Sequence, residues 1–268
     1  MIAVRGADAT AWLHDLVTAD VEGLSTGQSR RSLLLTPTGR IRADFHIARL
    51  DGSFLLLQAA EGQPEAVDAI LAPYVLSSDV ELDDRSEGSA IVAVLGGEAA
   101  EDGDDALVLA PSVLGPGHDV ILPAGEPASR LRERLRARGA VEVSAQDLET
   151  WRIRRGIVRM GPDFGPDALP AEAGLEDTID FTKGCFLGQE SVAKVRNLGH
   201  PPRVLRLVRS RAPILPGAPV LADGGTVGEV TSAAAADGGT DAIVRVRWDA
   251  ASGGLSTLAG PLSLRREQ

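Results

Sequence analysis

Residues 181–200, "FTKGCFLGQESVAKVRNLGH", hold the only cysteine of the chain, Cys185, its only asparagine, Asn197, and both of its lysines, Lys183 and Lys194. Every other basic residue apart from four histidines is Arg. A site that needs a compact ammonium group rather than a planar guanidinium explains such an exception; chance clustering of rare residues is the alternative. Gly184 permits a tight turn, and "LGQESVAKVRN" reads as a helix with Glu190 in its first turn, basic residues in its last and Gly199 after it. That reading sets Cys185 at or just before a helix N-terminus and two residues from an ammonium group. Both features favour the thiolate, the form that attacks electrophiles and binds soft metals. The plainer reading makes Cys185 a small buried hydrophobe and Lys183 a solvated side chain.

Working outward, Ser144 and Asp147 form the pattern of a capping box for a helix that carries Trp151 and ends by Gly156. The segment 160–177, "MGPDFGPDALPAEAGLED", is too rich in Gly and Pro for regular structure and has the character of a binding loop. "TIDF" (178–181) and "VEV" (141–143) read as short strands. Toward the N-terminus, "DATAWLHDLVTADV" (8–21) has helical spacing behind an Asp or Thr cap, and "RIRADFHIARLDGSFLLLQAA" (40–60) reads as two strands joined at Asp51-Gly52. Pro64 is placed to open a helix through "EAVDAILAPYV", strands follow at "DVELDD" and "AIVAVLGG", and "ASRLRERLRARG" (128–139) is a helix stopped by Gly139. After Pro201-Pro202 the pattern becomes short apolar runs and turns, "VLRLV", "PVLADGGTVGEVTSA", "AIVRVRW" and "PLSLR", suited to an antiparallel, barrel-like domain, with "AAAADGG" (233–239) as a loop. The organisation expected is α+β over residues 1–200 and a β-barrel over 201–268.

A chain of 268 residues with 44% hydrophobic residues buries a sizeable core without disulfides. One Cys forms no internal disulfide, and no CxxC or Cys/His cluster offers a metal site. The absence of a long apolar run or basic leader makes a cytoplasmic location, with no membrane partner, the expectation. A net charge of −11 opposes binding to nucleic acid, so no direct nucleic-acid partner is expected. Against that background "WRIRRGIVR" (151–159) packs four arginines: a solvated helix face, or a site for an anionic ligand. Histidines 14, 46, 118 and 200 are scattered and read as structural or surface groups.

"KGCFLGQE" (183–190) resembles the K-G-C-[aromatic]-x-G-Q-E motif of the YgfZ family, folate-binding relatives of the glycine-cleavage T protein, an aminomethyltransferase. The resemblance extends to "VRGADATAWLHDLVTADV" (4–21), "LLLTPTGRIRADF" (33–45), "LPAEAGLEDTIDFTKGC" (169–185), "PGAPV" (216–220) and "VGEVTSAA" (227–234). It implies a T-protein-like three-part α+β fold around a central folate pocket, made of two interleaved subdomains over residues 1–200, with a C-terminal antiparallel β-barrel. Implied too are tetrahydrofolate or a derivative as cofactor, and as partners iron–sulfur enzymes or their assembly proteins, including one that thiomethylates tRNA.

By position, the resemblance makes Cys185 the reactive residue, as nucleophile, redox thiol or transient cluster ligand, within a frame of Lys183, Gly184, Gly188, Gln189 and Glu190. Asp44 falls where the T protein has a folate-contacting Asp; the alternative is a surface strand carboxylate. In "RIRRG" (152–156) relatives carry a pterin-contacting Glu where this chain has Arg154, which can only donate. Glu172 is then the candidate acceptor in its place, and Arg152 a candidate partner for the folate's glutamate tail. A folate-dependent aminomethyltransferase and a non-catalytic folate-binding scaffold stand as the alternative functions.

Overall fold

The computed structural model describes residues 1–58, 62, 65–96, 108–112, 114 and 117–265. Pro64, expected to open a helix, lies outside the described residues. The chain divides into two compact units that interleave in sequence. Residues 1–37, 41–142 and 178–189 form the first, and residues 38–40, 143–177 and 190–268 the second.

The first unit is built on a five-stranded antiparallel sheet. In chain order its elements are β1 (Ile2–Arg5), α1 (Ala9–Leu16), β2 (Ser29–Leu35), β3 (Ile41–Leu50), β4 (Ser53–Leu57), α2 (Val67–Leu71) and β5 (Glu81–Asp84). The strands lie in the order β2-β3-β4-β1-β5. Period-two alternation in β3 decides what this sheet does. Ile41, Ala43, Phe45 and Ile47 are buried, while Arg42, Asp44 and His46 lie on the opposite face, less completely covered than these. The apolar face packs with Trp12 and Leu13 of α1, Phe54 and Leu56 of β4, and Ile70 of α2. Gly52, at φ 69°, closes the expected hairpin between β3 and β4. β6 (Ser89–Leu95), β7 (Val108–Pro111) and β8 (Gly117–Pro123) form a second antiparallel sheet in the order β6-β8-β7, flanked by α3 (Glu126–Ala137).

The second unit carries α4 (Ala145–Arg154), most of α5 (Gln189–Leu198) and a closed antiparallel barrel. Its strands are β9 (Arg203–Ser210), β10 (Pro219–Ala222), β11 (Gly225–Ala236), β12 (Gly239–Arg247), β13 (Ser256–Thr257) and β14 (Gly260–Leu264). The capping box on α4 forms as expected: Ser144 Oγ accepts the Asp147 N–H at 3.1 Å and the Asp147 carboxylate accepts the Ser144 N–H at 3.2 Å. Closing the barrel brings backbones close at two glycines: a Cβ at Gly228 would lie 2.0 Å from the carbonyl oxygen of Arg245, and one at Gly239 2.0 Å from that of Ser210.

Four local expectations change. Helix α1 ends at Leu16 rather than running to Val21, and the Asp8 carboxylate accepts the Asp79 N–H at 2.8 Å instead of capping its own helix. "VEV" is exposed and forms no strand. "TIDF" is a 3-10 turn (Glu176–Thr178) followed by irregular chain, because the Asp180 N–H and Thr178 carbonyl bond to Thr18 rather than to a neighbouring strand. The Ala-rich segment is strand, not loop: β11 continues to Ala236, and only Asp237-Gly238 turn before β12. Among the described residues no helix is long and apolar enough to cross a membrane.

Candidate functional site

The segment 178–189 is fastened to the end of α1. The Lys183 ammonium donates to the carbonyl oxygens of His14, Val17 (2.7 Å) and Ala19 (3.0 Å). These belong to the last turn of α1 and the chain beyond it, where carbonyls lack intrahelical donors and the helix dipole favours a cation. A four-carbon stem with three rotatable donors suits three converging carbonyls, as a flat guanidinium would not. Burial pulls the Lys183 amine down to about 8, against the pull of the Asp20, Asp15, Asp180 and Glu22 carboxylates in the other direction. Further stitches are Thr18 Oγ1 to the Thr178 carbonyl (3.0 Å), Asp180 N–H to the Thr18 carbonyl (2.9 Å) and Leu187 N–H to the Asp15 carbonyl (3.2 Å). Thr18, fully buried, also accepts the Leu33 N–H at 2.9 Å, tying the assembly to β2.

Within this loop Cys185 is exposed, and its neighbour Phe186 is buried with its ring 5.3 Å from the Lys183 ammonium. The α5 helix begins at Gln189 rather than Leu187, and Cys185 lies before it, separated by a turn containing Gly188 (φ 83°). The ammonium faces backbone carbonyls, so Lys183 anchors the loop. The result is a thiol presented to solvent on a loop held by these hydrogen bonds. Gln189 begins α5, its N–H on the Phe186 carbonyl at 3.2 Å.

Also in the first unit, Asp44 lies on the polar face of β3 and is gripped by Arg31 of β2 in a two-pronged pair, Nε–Oδ1 2.9 Å and Nη2–Oδ2 2.6 Å. Its side chain is 11% exposed, which makes it an oriented, largely covered carboxylate rather than a surface one. His46 is Arg31's cross-strand partner. Burial, then the Arg31 charge, lower its imidazole to about 4 despite Asp44, so it is neutral at physiological pH. Sequence reasoning missed Arg31, His46 and Thr18. The polar residues at alternate positions 42, 44 and 46 in an otherwise apolar strand were the available signal.

The remaining candidates lie in the second unit with separate partners. Arg152 is buried and its guanidinium is engaged by Glu149 (2.9 and 2.6 Å), Asp163 (2.6 Å), the Ile157 carbonyl (2.6 Å) and Ser232 Oγ (2.9 Å). Asp163 in turn accepts from Arg159 N–H, Thr231 Oγ1 and Ser232 Oγ at 2.9, 2.9 and 2.6 Å. Two consecutive strand residues reach one carboxylate because the register of β11 slips between Val230 and Ser232, a bulge that turns Thr231 to the same side. Arg152 therefore holds the irregular 157–163 segment on the barrel. Glu172 lies partly buried in the Gly/Pro-rich loop and accepts the Leu169 N–H at 2.9 Å. Glu190 is exposed and pairs with Lys194 one turn on at 2.8 Å. Arg154, in place of an acceptor, donates to the Ala235 carbonyl at 3.1 Å. No group of three or more His, Cys, Asp or Glu placed to hold a metal occurs among the described residues.

Residues 1–102 match the family model of the GCVT N-terminal domain. The whole chain superposes on the crystal structure of glycine cleavage system aminomethyltransferase T from Bartonella henselae with a TM-score of 0.82, covering 100% of this chain and 82% of that one at 24% identity. The protein therefore has the aminomethyltransferase T fold, including the closed barrel expected at its C-terminal end. In sequence it is related to aminomethyltransferases. It is 26% identical over 257 residues to the one from Rubrobacter xylanophilus, covering 86% of this chain and 68% of that protein. A chloroplastic protein of Arabidopsis thaliana, provisionally named a transferase, is 26% identical over 255 residues, and this chain spans 59% of its length.

Proposed function

We propose that this chain is a folate-binding accessory protein of the YgfZ type that supports the assembly or repair of iron–sulfur enzymes, tRNA-thiomethylating ones among them, through Cys185. The observation that carries the reading is the exposed thiol on the "KGCFLGQE" loop, fixed to the end of α1 by Lys183. An anchored loop that offers its thiol to solvent suits an encounter with a second protein or a small thiol. One cysteine cannot hold a cluster alone, so any cluster contact needs a co-ligand from elsewhere.

Tetrahydrofolate fits the first unit at Asp44. A reduced pterin is rich in N–H donors, and Asp44 is an acceptor whose orientation Arg31 fixes. When bound, tetrahydrofolate supplies a carrier for one-carbon units. In this reading Lys183 and Gln189, of the same unit, hold the loop that carries Cys185. The donor Arg154 where the T protein has a pterin-contacting Glu favours the accessory role over aminomethyl transfer, because it removes an acceptor which that binding mode uses.

The test separates cofactor from thiol. Tetrahydrofolate binding, measured by calorimetry, should survive Cys185→Ala and fall with Asp44→Ala. In a deletion strain, tRNA thiomethylation should be restored by the wild-type chain and not by Cys185→Ala. Full restoration by Cys185→Ala would overturn the reading. Turnover of an aminomethyl donor by that variant would establish the transferase instead.

A further inference from the structure

Helix α4 and the barrel together form a cleft of about 400 Å³ in the second unit, and its charge is unlike that of the chain as a whole. Arg154 and Arg155 come from the end of α4, Arg209 from β9, and Arg265 from just after β14. Asp241 of β12, 2% exposed, lies among them. Its carboxylate is 3.1 Å from Arg209 Nη1, 3.0 Å from Arg265 Nη1 and 3.9 Å from Arg154 Nε.

One buried carboxylate thus orients three guanidinium groups without neutralising them. Arg155 has no hydrogen-bond or ion-pair partner for its side chain among the described residues; its guanidinium lies 4.8 Å over the Trp151 ring, which also lines the cleft. Counting Asp237 as well, the lining holds two more guanidinium groups than carboxylates, in a chain whose net charge is −11. Favourable placement of cations at a helix C-terminus accounts for Arg154 and Arg155. It does not account for Arg209 and Arg265, which the barrel brings to the same place.

Like charges brought together repel unless an anion joins them. Guanidinium forks match the paired oxygens of phosphates and carboxylates, and the volume is that of a small-molecule site. We propose that this cleft binds a small molecule carrying two neighbouring anionic groups, a diphosphate or a dicarboxylate. The ligand bridges Arg155 to the guanidinium groups that Asp241 holds in place, and Trp151 walls the site. Neither Asp44 nor Glu172 lines this cleft.

Calorimetric titration of the intact protein with inorganic pyrophosphate and, separately, with citrate tests it. Binding of one anion per chain is expected. Arg155→Ala should weaken it about tenfold or more, since a hydrogen-bonded charge pair is lost. Arg155→Gln, which retains a polar side chain beside Trp151, should weaken it comparably, and Arg134→Ala on α3 should leave it unchanged. Tighter pyrophosphate binding identifies a phosphorylated ligand, tighter citrate binding a carboxylate one, and either supports the site. No binding, or equal affinity in wild type and Arg155→Ala, would overturn it, whatever the outcome for tetrahydrofolate.

Discussion

The Lys183 ammonium lies 2.7 Å from the carbonyl oxygen of Val17, a residue 166 positions earlier in the chain, and holds the Cys185 loop to the end of α1. Replacing Lys183 with Met leaves three backbone carbonyls without their charged donor and should cost about 3 kcal/mol in urea unfolding. Lys183→Arg should recover little of this, because a planar fork cannot meet three converging oxygens. Full recovery by Arg would show that charge alone matters there.

His46 sets an acid limit. Its imidazole is lowered to about 4 in the folded protein, from 6.5, so between those values the unfolded chain binds the extra proton. Stability from this group is present above pH 6.5 and is lost as pH falls toward 4, by about 3 kcal/mol at most. His46→Gln should flatten the stability profile across that window, measured as unfolding free energy against pH; an unchanged slope would contradict the assignment.

Asp163 receives four donors in a buried setting: Arg152, Arg159 N–H, Thr231 and Ser232. Asp163→Asn leaves Arg152 without one of its two carboxylates and should destabilise the protein by about 3–5 kcal/mol. The loss should appear as a lower midpoint in thermal unfolding.

Cys185 is exposed and supports no packing. Cys185→Ser should therefore change stability by no more than about 0.5 kcal/mol. In the native protein one thiol per chain should react with an alkylating reagent without denaturant, and bound tetrahydrofolate should slow the reaction if the thiol borders the folate site. An inert thiol would place the cysteine in a covered position and remove the basis for its chemistry.

The sequence made the long periodic elements legible. The alternation in β3, the Asp51-Gly52 turn, the Ser144/Asp147 capping box and the terminal run of short strands all form where local pattern places them. Elements that depend on distant partners were read less well. "TIDF" has strand composition, yet its backbone groups bond to Thr18, and no local signal announces that. The rarity of Lys and Cys located the signature loop. It could not say that Lys183 faces carbonyls, because that is settled by where α1 ends. The Arg152–Asp163 network was hidden for a similar reason: it relies on a bulge in β11 far along the chain.

The fastening of residue 183 to residue 14 also has a temporal side. During synthesis the chain emerges from its N-terminus, so α1 exists long before the lysine that completes its end, and before residues 178–189 that finish the first unit. Contacts of such long sequence separation form late and slow folding. Until Lys183 has been made, the carbonyls of His14, Val17 and Ala19 lack the ammonium that joins them in the folded chain. The loop that presents Cys185 thus becomes ordered only when most of the chain has been made, so the thiol takes up its presented position together with the completed first unit and not before.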